Sequence, residues 1–94
     1  MWQGIVKLAE EAAELGVEAA KLQAFPEGAH PDGRGECIER VLAEMADVIA
    51  AIQSFCEFNG VQVDWARVDA KNARFAEWRE NGQLAGAIAW RHDD

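Results

Sequence analysis

Two pairs of acidic residues are the first candidates for chemistry in this chain. Glu11 and Glu14 are three positions apart, and so are Glu44 and Asp47. Residues at this spacing lie on the same face of an α-helix, so each pair presents two carboxylates on one surface. Asp47 has alanine four positions before and after it, so no cation lies at those positions on its own helix. Glu44 has Arg40 one turn earlier, and a local salt bridge is an alternative explanation for Glu44 alone.

Converging carboxylates without counterions predict a cation site. Carboxylate oxygens are hard ligands, which suit Mg²⁺ or Mn²⁺ rather than zinc or copper. Mg²⁺ is usually shared between one or two protein carboxylates, waters and substrate phosphates, so the pattern indicates a phosphorylated substrate. Four carboxylates are enough to bind two such metal ions about 3.5–4 Å apart. The alternative is an ordinary solvated acidic face. A di-iron bundle site is excluded because it requires Glu-x-x-His on two helices, and His30 and His92 lie in no such motif.

The apolar periodicity predicts that helices position these acids. In the first helix, apolar residues at positions 5, 8, 12, 15, 19 and 22 form one stripe, and Glu11 lies at its edge. The predicted helices cover residues 2–24, 36–58, 64–80 and, as a short final element, 83–90. Both prolines and three glycines fall in residues 26–35, which we interpret as the one substantial loop. Asn59-Gly60 ends the second helix, because glycine tolerates a left-handed conformation there, and Asp64 is the expected N-cap of the third.

These elements predict an all-α fold, a four-helix antiparallel bundle that occupies residues 1–94 as a single domain. A domain of 94 residues gains only marginal stability from its own core. Four tryptophans are more aromatic surface than so thin a core easily covers. We therefore expect an oligomer, either a homodimer or a homotetramer.

The charge distribution excludes several classes of partner. Nine Lys and Arg against 17 Asp and Glu give a net charge of −8, and residues 1–60 hold four cations against eleven acids. This balance argues against binding to a nucleic acid polymer or to an anionic membrane surface. No segment has the length and apolarity of a bilayer span or a secretory signal. Cys37 and Cys56 fall about 28 Å apart on one predicted helix, too far to bond, so we expect reduced thiols and a cytoplasmic location.

The third helix carries a line of cations that ends in an indole. Arg67, Lys71, Arg74 and Trp78 fall within about 60° of one helical face. Such cations either bind phosphate oxygens or pair with acids of neighbouring helices. Trp78 is the first candidate for stacking on a base, and Asn72 either reads a base edge or satisfies a buried backbone group.

The two acidic motifs, Glu11-Ala-Ala-Glu14 and Glu44-Met-Ala-Asp47, resemble those of the MazG-type all-α nucleoside triphosphate pyrophosphohydrolases. The short single-domain members associated with phages and integrons are most similar. The likeness extends over LAEEAAEL, the segment 21–25, the stretch ERVLAEMADVIAAI and the segment 71–78. The 29-residue spacer between Glu14 and Glu44 is at the long end for the family.

The resemblance implies Mg²⁺-dependent hydrolysis of an NTP or dNTP to the monophosphate and pyrophosphate, a nucleotide-pool house-cleaning activity. It assigns metal binding and catalysis to the quartet Glu11, Glu14, Glu44 and Asp47. It favours substrate binding by Lys71 and Arg74, and adds Lys21 and Arg40 as further substrate-binding candidates.

Two rival functions remain open from the sequence. One is a phosphoribosyl-ATP pyrophosphohydrolase, which shares the same fold. The other is a non-catalytic acidic helical module, such as an adaptor or an antitoxin-like partner.

Overall fold

The computed structural model describes residues 1–26 and 36–82 of the chain. These residues form three helices: α1 (Ile5–Ala24), α2 (Cys37–Asn59) and α3 (Trp65–Glu80). No strand occurs in these two ranges, which confirms the all-α prediction. The predicted fourth helix at 83–90 and residues 27–35 of the predicted loop, with His30, lie outside the described residues.

The ends of the helices follow local signals in the sequence. Gly60 has a left-handed φ of 65° and caps α2 as predicted, with its N–H donating to the Cys56 carbonyl. The Asp64 side chain accepts a hydrogen bond of 3.0 Å from the backbone N–H of Arg67, so Asp64 is the N-cap of α3. The prediction places the start of α1 too early, because Gly4 adopts a φ of 85° and turns the chain before the first helical residue.

Asn59 ties the end of α2 to the residues before α1. Its side-chain amide donates to the Gln3 carbonyl at 2.8 Å and to the Phe55 carbonyl at 2.8 Å, and its side-chain oxygen accepts from the Gln3 N–H at 3.0 Å. The rings of Trp2 and Phe55 lie 6.0 Å apart beside these bonds. The start of α1 therefore lies against the end of α2, and the two helices form an antiparallel hairpin.

We expect Asn59→Ala to destabilise this hairpin by about 2 kcal/mol, because it removes three hydrogen bonds that each contribute about 0.5–1.5 kcal/mol net. Urea unfolding followed by circular dichroism measures the loss. Asn59→Asp is the companion variant: it keeps the acceptor for the Gln3 N–H but sets a carboxylate oxygen against the Gln3 and Phe55 carbonyls, so it is expected to destabilise the hairpin as well. Equal stability of the alanine variant and the wild type would contradict this role of Asn59.

The interface between α1 and α2 buries few side chains. Its buried residues are Cys37, Val41 and Ala51 on α2, together with Glu18 on α1. The α1 leucines at the predicted stripe, at positions 8, 15 and 22, are only half-buried. Both cysteines lie on α2 and both are free thiols.

The chain divides into two compact units. The first unit is Met1–Gln62 and contains the α1–α2 hairpin, and the second begins at Val63 and contains α3. None of the three described helices combines the length and the apolarity needed to cross a bilayer.

Candidate metal centre

Packing of α1 against α2 brings three of the four predicted acids together. Glu11, Glu44 and Asp47 each place one carboxylate oxygen so that all three atoms lie within 4.8 Å of one another. Glu11 and Glu44 are half-buried at the helix interface, and Asp47 is exposed. The fourth predicted acid, Glu14, is exposed and does not belong to this group of three. We call Glu11, Glu44 and Asp47 the acid cluster.

Glu44 is the electrostatically strained member of the acid cluster. Its Oε2 atom is buried and has no hydrogen-bond partner among the described residues. Partial burial of the carboxyl raises the pKa of Glu44, and the negative charges of Glu14, Asp47 and Glu11 raise it further. Glu14 thus acts on the cluster through its charge although it lies outside the group.

The acid cluster fits a hard divalent cation. It offers three carboxylate oxygens from two helices, which is the ligand type that Mg²⁺ and Mn²⁺ prefer. A buried acceptor without a partner is costly, and a cation would satisfy the buried Oε2 of Glu44 while offsetting the repulsion among the carboxylates. The donor set is therefore of the hard, anionic type named from the sequence, and the bound metal stays a prediction.

The raised pKa of Glu44 makes the stability of the metal-free protein depend on pH. The folded state binds this proton more tightly than the unfolded chain, whose carboxyl keeps the ordinary value near 4.5. We expect the stability of wild type relative to Glu44→Gln to be highest below that value and to decline as pH rises through the higher folded pKa. Urea unfolding of both proteins in EDTA between about pH 4 and 7 measures this difference. A difference that grows with pH would contradict the raised pKa.

The two predicted substrate-binding cations of the first unit lie against a buried acid. Lys21 Nζ is 3.8 Å and Arg40 Nη2 is 3.9 Å from the same Oε2 of Glu18. Glu18 is 8% exposed, and it is not among the residues predicted from the sequence. The signal was present, because Glu18 lies about 40° from Leu22 on the helical wheel, close to the apolar stripe.

The predicted residues of α3 form a ladder of cations and rings. Lys71 Nζ lies 5.9 Å from the centre of the Phe75 ring, and Arg74 Cζ lies 6.0 Å from that of Trp78. The two rings are 5.5 Å apart and tilted by 49°. Trp78 is thus half-buried with ring and guanidinium contacts on its own helix.

Two surface pockets run along the same side of α3. The smaller, of about 100 Å³, is lined by Arg67, Ala70, Lys71 and Arg74. The larger, of about 450 Å³, shares Arg67 and Lys71 and adds Asn72, with four further residues, Val63, Asp64, Val68 and Phe75. Asn72 is exposed rather than committed to a buried backbone group. The cations predicted to bind phosphate therefore share concave surface with the predicted amide contact.

The resemblance to the pyrophosphohydrolases rests on the motif residues themselves. Comparisons of this chain with protein-family models, with curated proteins and with solved structures find no match.

Proposed function

We propose that the protein is a Mg²⁺-dependent nucleoside triphosphate pyrophosphohydrolase of the MazG type, which converts an NTP or dNTP to the monophosphate and pyrophosphate. The acid cluster is the observation that carries the proposal. Three carboxylates from two helices lie within 4.8 Å, and one of their oxygens is buried without a partner. A site with that excess of hard anionic ligands is suited to a divalent cation that accompanies a phosphorylated substrate.

In this proposal Glu11, Glu44 and Asp47 hold the ion, and Glu14 adds its charge at the edge of the cluster. A divalent ion held there would supply charge neutralisation at the phosphates and an activated water for the attack. Lys71 and Arg74 bind phosphate oxygens and offset the charge that develops on them during cleavage. Trp78 and Asn72 contact the nucleoside.

The test is pyrophosphate release from a panel of NTPs and dNTPs with Mg²⁺ or Mn²⁺, repeated in EDTA. We expect turnover of at least one nucleotide with either metal and none in EDTA. Absence of pyrophosphate with every nucleotide would overturn the proposal. Testing phosphoribosyl-ATP in the same assay distinguishes the proposed enzyme from a phosphoribosyl-ATP pyrophosphohydrolase. A non-catalytic module would show no saturable Mg²⁺ or nucleotide binding in calorimetry.

The proposed enzyme is a cytoplasmic homodimer or homotetramer built on four-helix bundles, with no nucleic acid polymer or membrane as partner. Exposed apolar side chains on one face of α2 support the assembly. Ile38, Leu42, Met45 and Ile49 are between 44% and 56% exposed and follow one another at helical spacing. Light scattering measures the mass, and a monomer at micromolar concentration would contradict the oligomer.

A further inference from the structure

Glu18 is the one buried charged side chain among the described residues. Its Oε2 atom lies 3.8 Å from Lys21 Nζ and 3.9 Å from Arg40 Nη2, so a single carboxylate oxygen stands between two cations. Lys21 is on the same helix, three residues later, whereas Arg40 comes from α2. Acidic residues are seldom this buried unless they are paired, and Glu18 is paired twice.

This arrangement places two cations against one carboxylate oxygen in an acidic unit. Two cations this close repel each other, and the carboxylate between them offsets that repulsion. The side chains of Lys21 and Arg40 remain 38% and 30% exposed, so both are accessible from solvent. The other described cation of this unit, Lys7, pairs with Glu10 at 3.2 Å.

The cation pair lies on the same face of the hairpin as the acid cluster. Glu18, which holds the two cations, is seven residues after Glu11 on α1, and Arg40 is seven residues before Asp47 on α2. Seven residues are about two helical turns, or about 10.5 Å, and return to nearly the same side of a helix. Because α1 and α2 are antiparallel, both steps lead toward the same end of the hairpin. One nucleoside triphosphate is long enough to reach from the acid cluster to the cations.

We propose that Glu18 is a positioning residue: it holds Lys21 and Arg40 together as a clamp for a phosphate group of the nucleotide bound at the acid cluster. The role of the clamp in turnover rests on the proposed function, and its affinity for polyphosphate does not. Glu18 touches no substrate atom and acts through the two cations. Their fixed positions reduce the side-chain entropy lost when they bind an anion.

The probe is inorganic tripolyphosphate, titrated calorimetrically in EDTA into wild type and Glu18→Gln. We expect affinity to fall at least about fivefold in Glu18→Gln, because the two cations are no longer held together. The sign is diagnostic, since removing a merely repulsive acid strengthens anion binding. Glu10→Gln is the matched control: it removes an acid of the same (i, i+3) type of pair, and we expect no loss of affinity.

Lys21→Met and Arg40→Met keep the test decisive if Glu18→Gln fails to fold. Each is expected to lose affinity by at least about fivefold, and adding Glu18→Gln to the double methionine variant is expected to change nothing further. Equal or tighter binding by folded Glu18→Gln, or wild-type affinity in Lys21→Met, would overturn the clamp.

Nucleotide turnover distinguishes this proposal from the proposed function. In Glu18→Gln we expect a higher KM with kcat within about twofold of wild type, since the clamp contributes binding rather than chemistry. Tripolyphosphate binding that depends on Glu18, without pyrophosphate release by wild type, would support the clamp and overturn the enzyme. Turnover with unchanged KM in Glu18→Gln would support the enzyme and overturn the clamp.

Discussion

Glu44→Gln and Asp47→Asn are each expected to lower kcat/KM for dNTP hydrolysis by at least about a hundredfold, because each removes a charged ligand from the acid cluster. An amide keeps the size of the side chain and one oxygen, so the packing of α2 is preserved. Both variants are expected to bind Mg²⁺ more weakly as well as to turn over more slowly. Pyrophosphate release at several Mg²⁺ concentrations measures both effects.

Glu57→Gln is the control for these substitutions, since it removes an exposed acid of α2 outside the acid cluster. Its activity is expected to match wild type. In EDTA, Glu44→Gln is expected to be at least as stable as wild type near neutral pH, because the substitution relieves the repulsion that raises the pKa of Glu44. Full activity in either Glu44→Gln or Asp47→Asn would show that the acid cluster takes no part in the reaction.

Mg²⁺ is expected to raise the Tm of wild type and to have little effect on Asp47→Asn, because a ligand that binds only the folded state stabilises it. This measurement detects the metal even where no substrate turns over. Together with the EDTA comparison, it separates loss of a ligand from loss of the fold.

The parts of the fold that were predictable depend on residues close together in the chain. Gly60 ends α2 and Asp64 begins α3 through contacts within a few residues, and both signals are legible in the sequence. The start of α1 is different. The left-handed turn at Gly4 lies next to hydrogen bonds between Gln3 and Asn59, which are 56 positions apart, and no local pattern contains that information.

The same distinction applies to the candidate site. Glu11 lies at the edge of the apolar stripe, and Glu44 and Asp47 share a face of the next helix, so two helices packed together were enough to predict that their carboxylates converge. Its position close to the apolar stripe signals the burial of Glu18, but it does not reveal the cation that Arg40 brings from the other helix. Spacing within each helix therefore paired the acids, including Glu14, which lies outside the acid cluster, whereas the cation pair around Glu18 required the packed hairpin.

Replacing both Lys71 and Arg74 by methionine is expected to lower kcat/KM for dNTP hydrolysis by at least about a hundredfold, because two donors to the phosphates are lost together. Methionine suits this test, since Lys71 lies over the Phe75 ring and Arg74 over the Trp78 ring. A thioether keeps an apolar contact with an aromatic ring, so α3 loses charge without losing its ladder of side chains. Steady-state kinetics of the single and double variants measure the effect.

Arg79→Met is the matched control, because Arg79 is an exposed cation in the last turn of the same helix and lines neither pocket on α3. Its kcat/KM is expected to stay within about twofold of wild type, since a screened surface charge contributes little. If Lys71 and Arg74 only stabilise the helix through their rings, the double variant will lose Tm and keep its kinetic constants. If they bind phosphate, kcat/KM falls while the helix content and Tm remain close to wild type, and the salt dependence of KM becomes weaker because fewer charges attract the nucleotide.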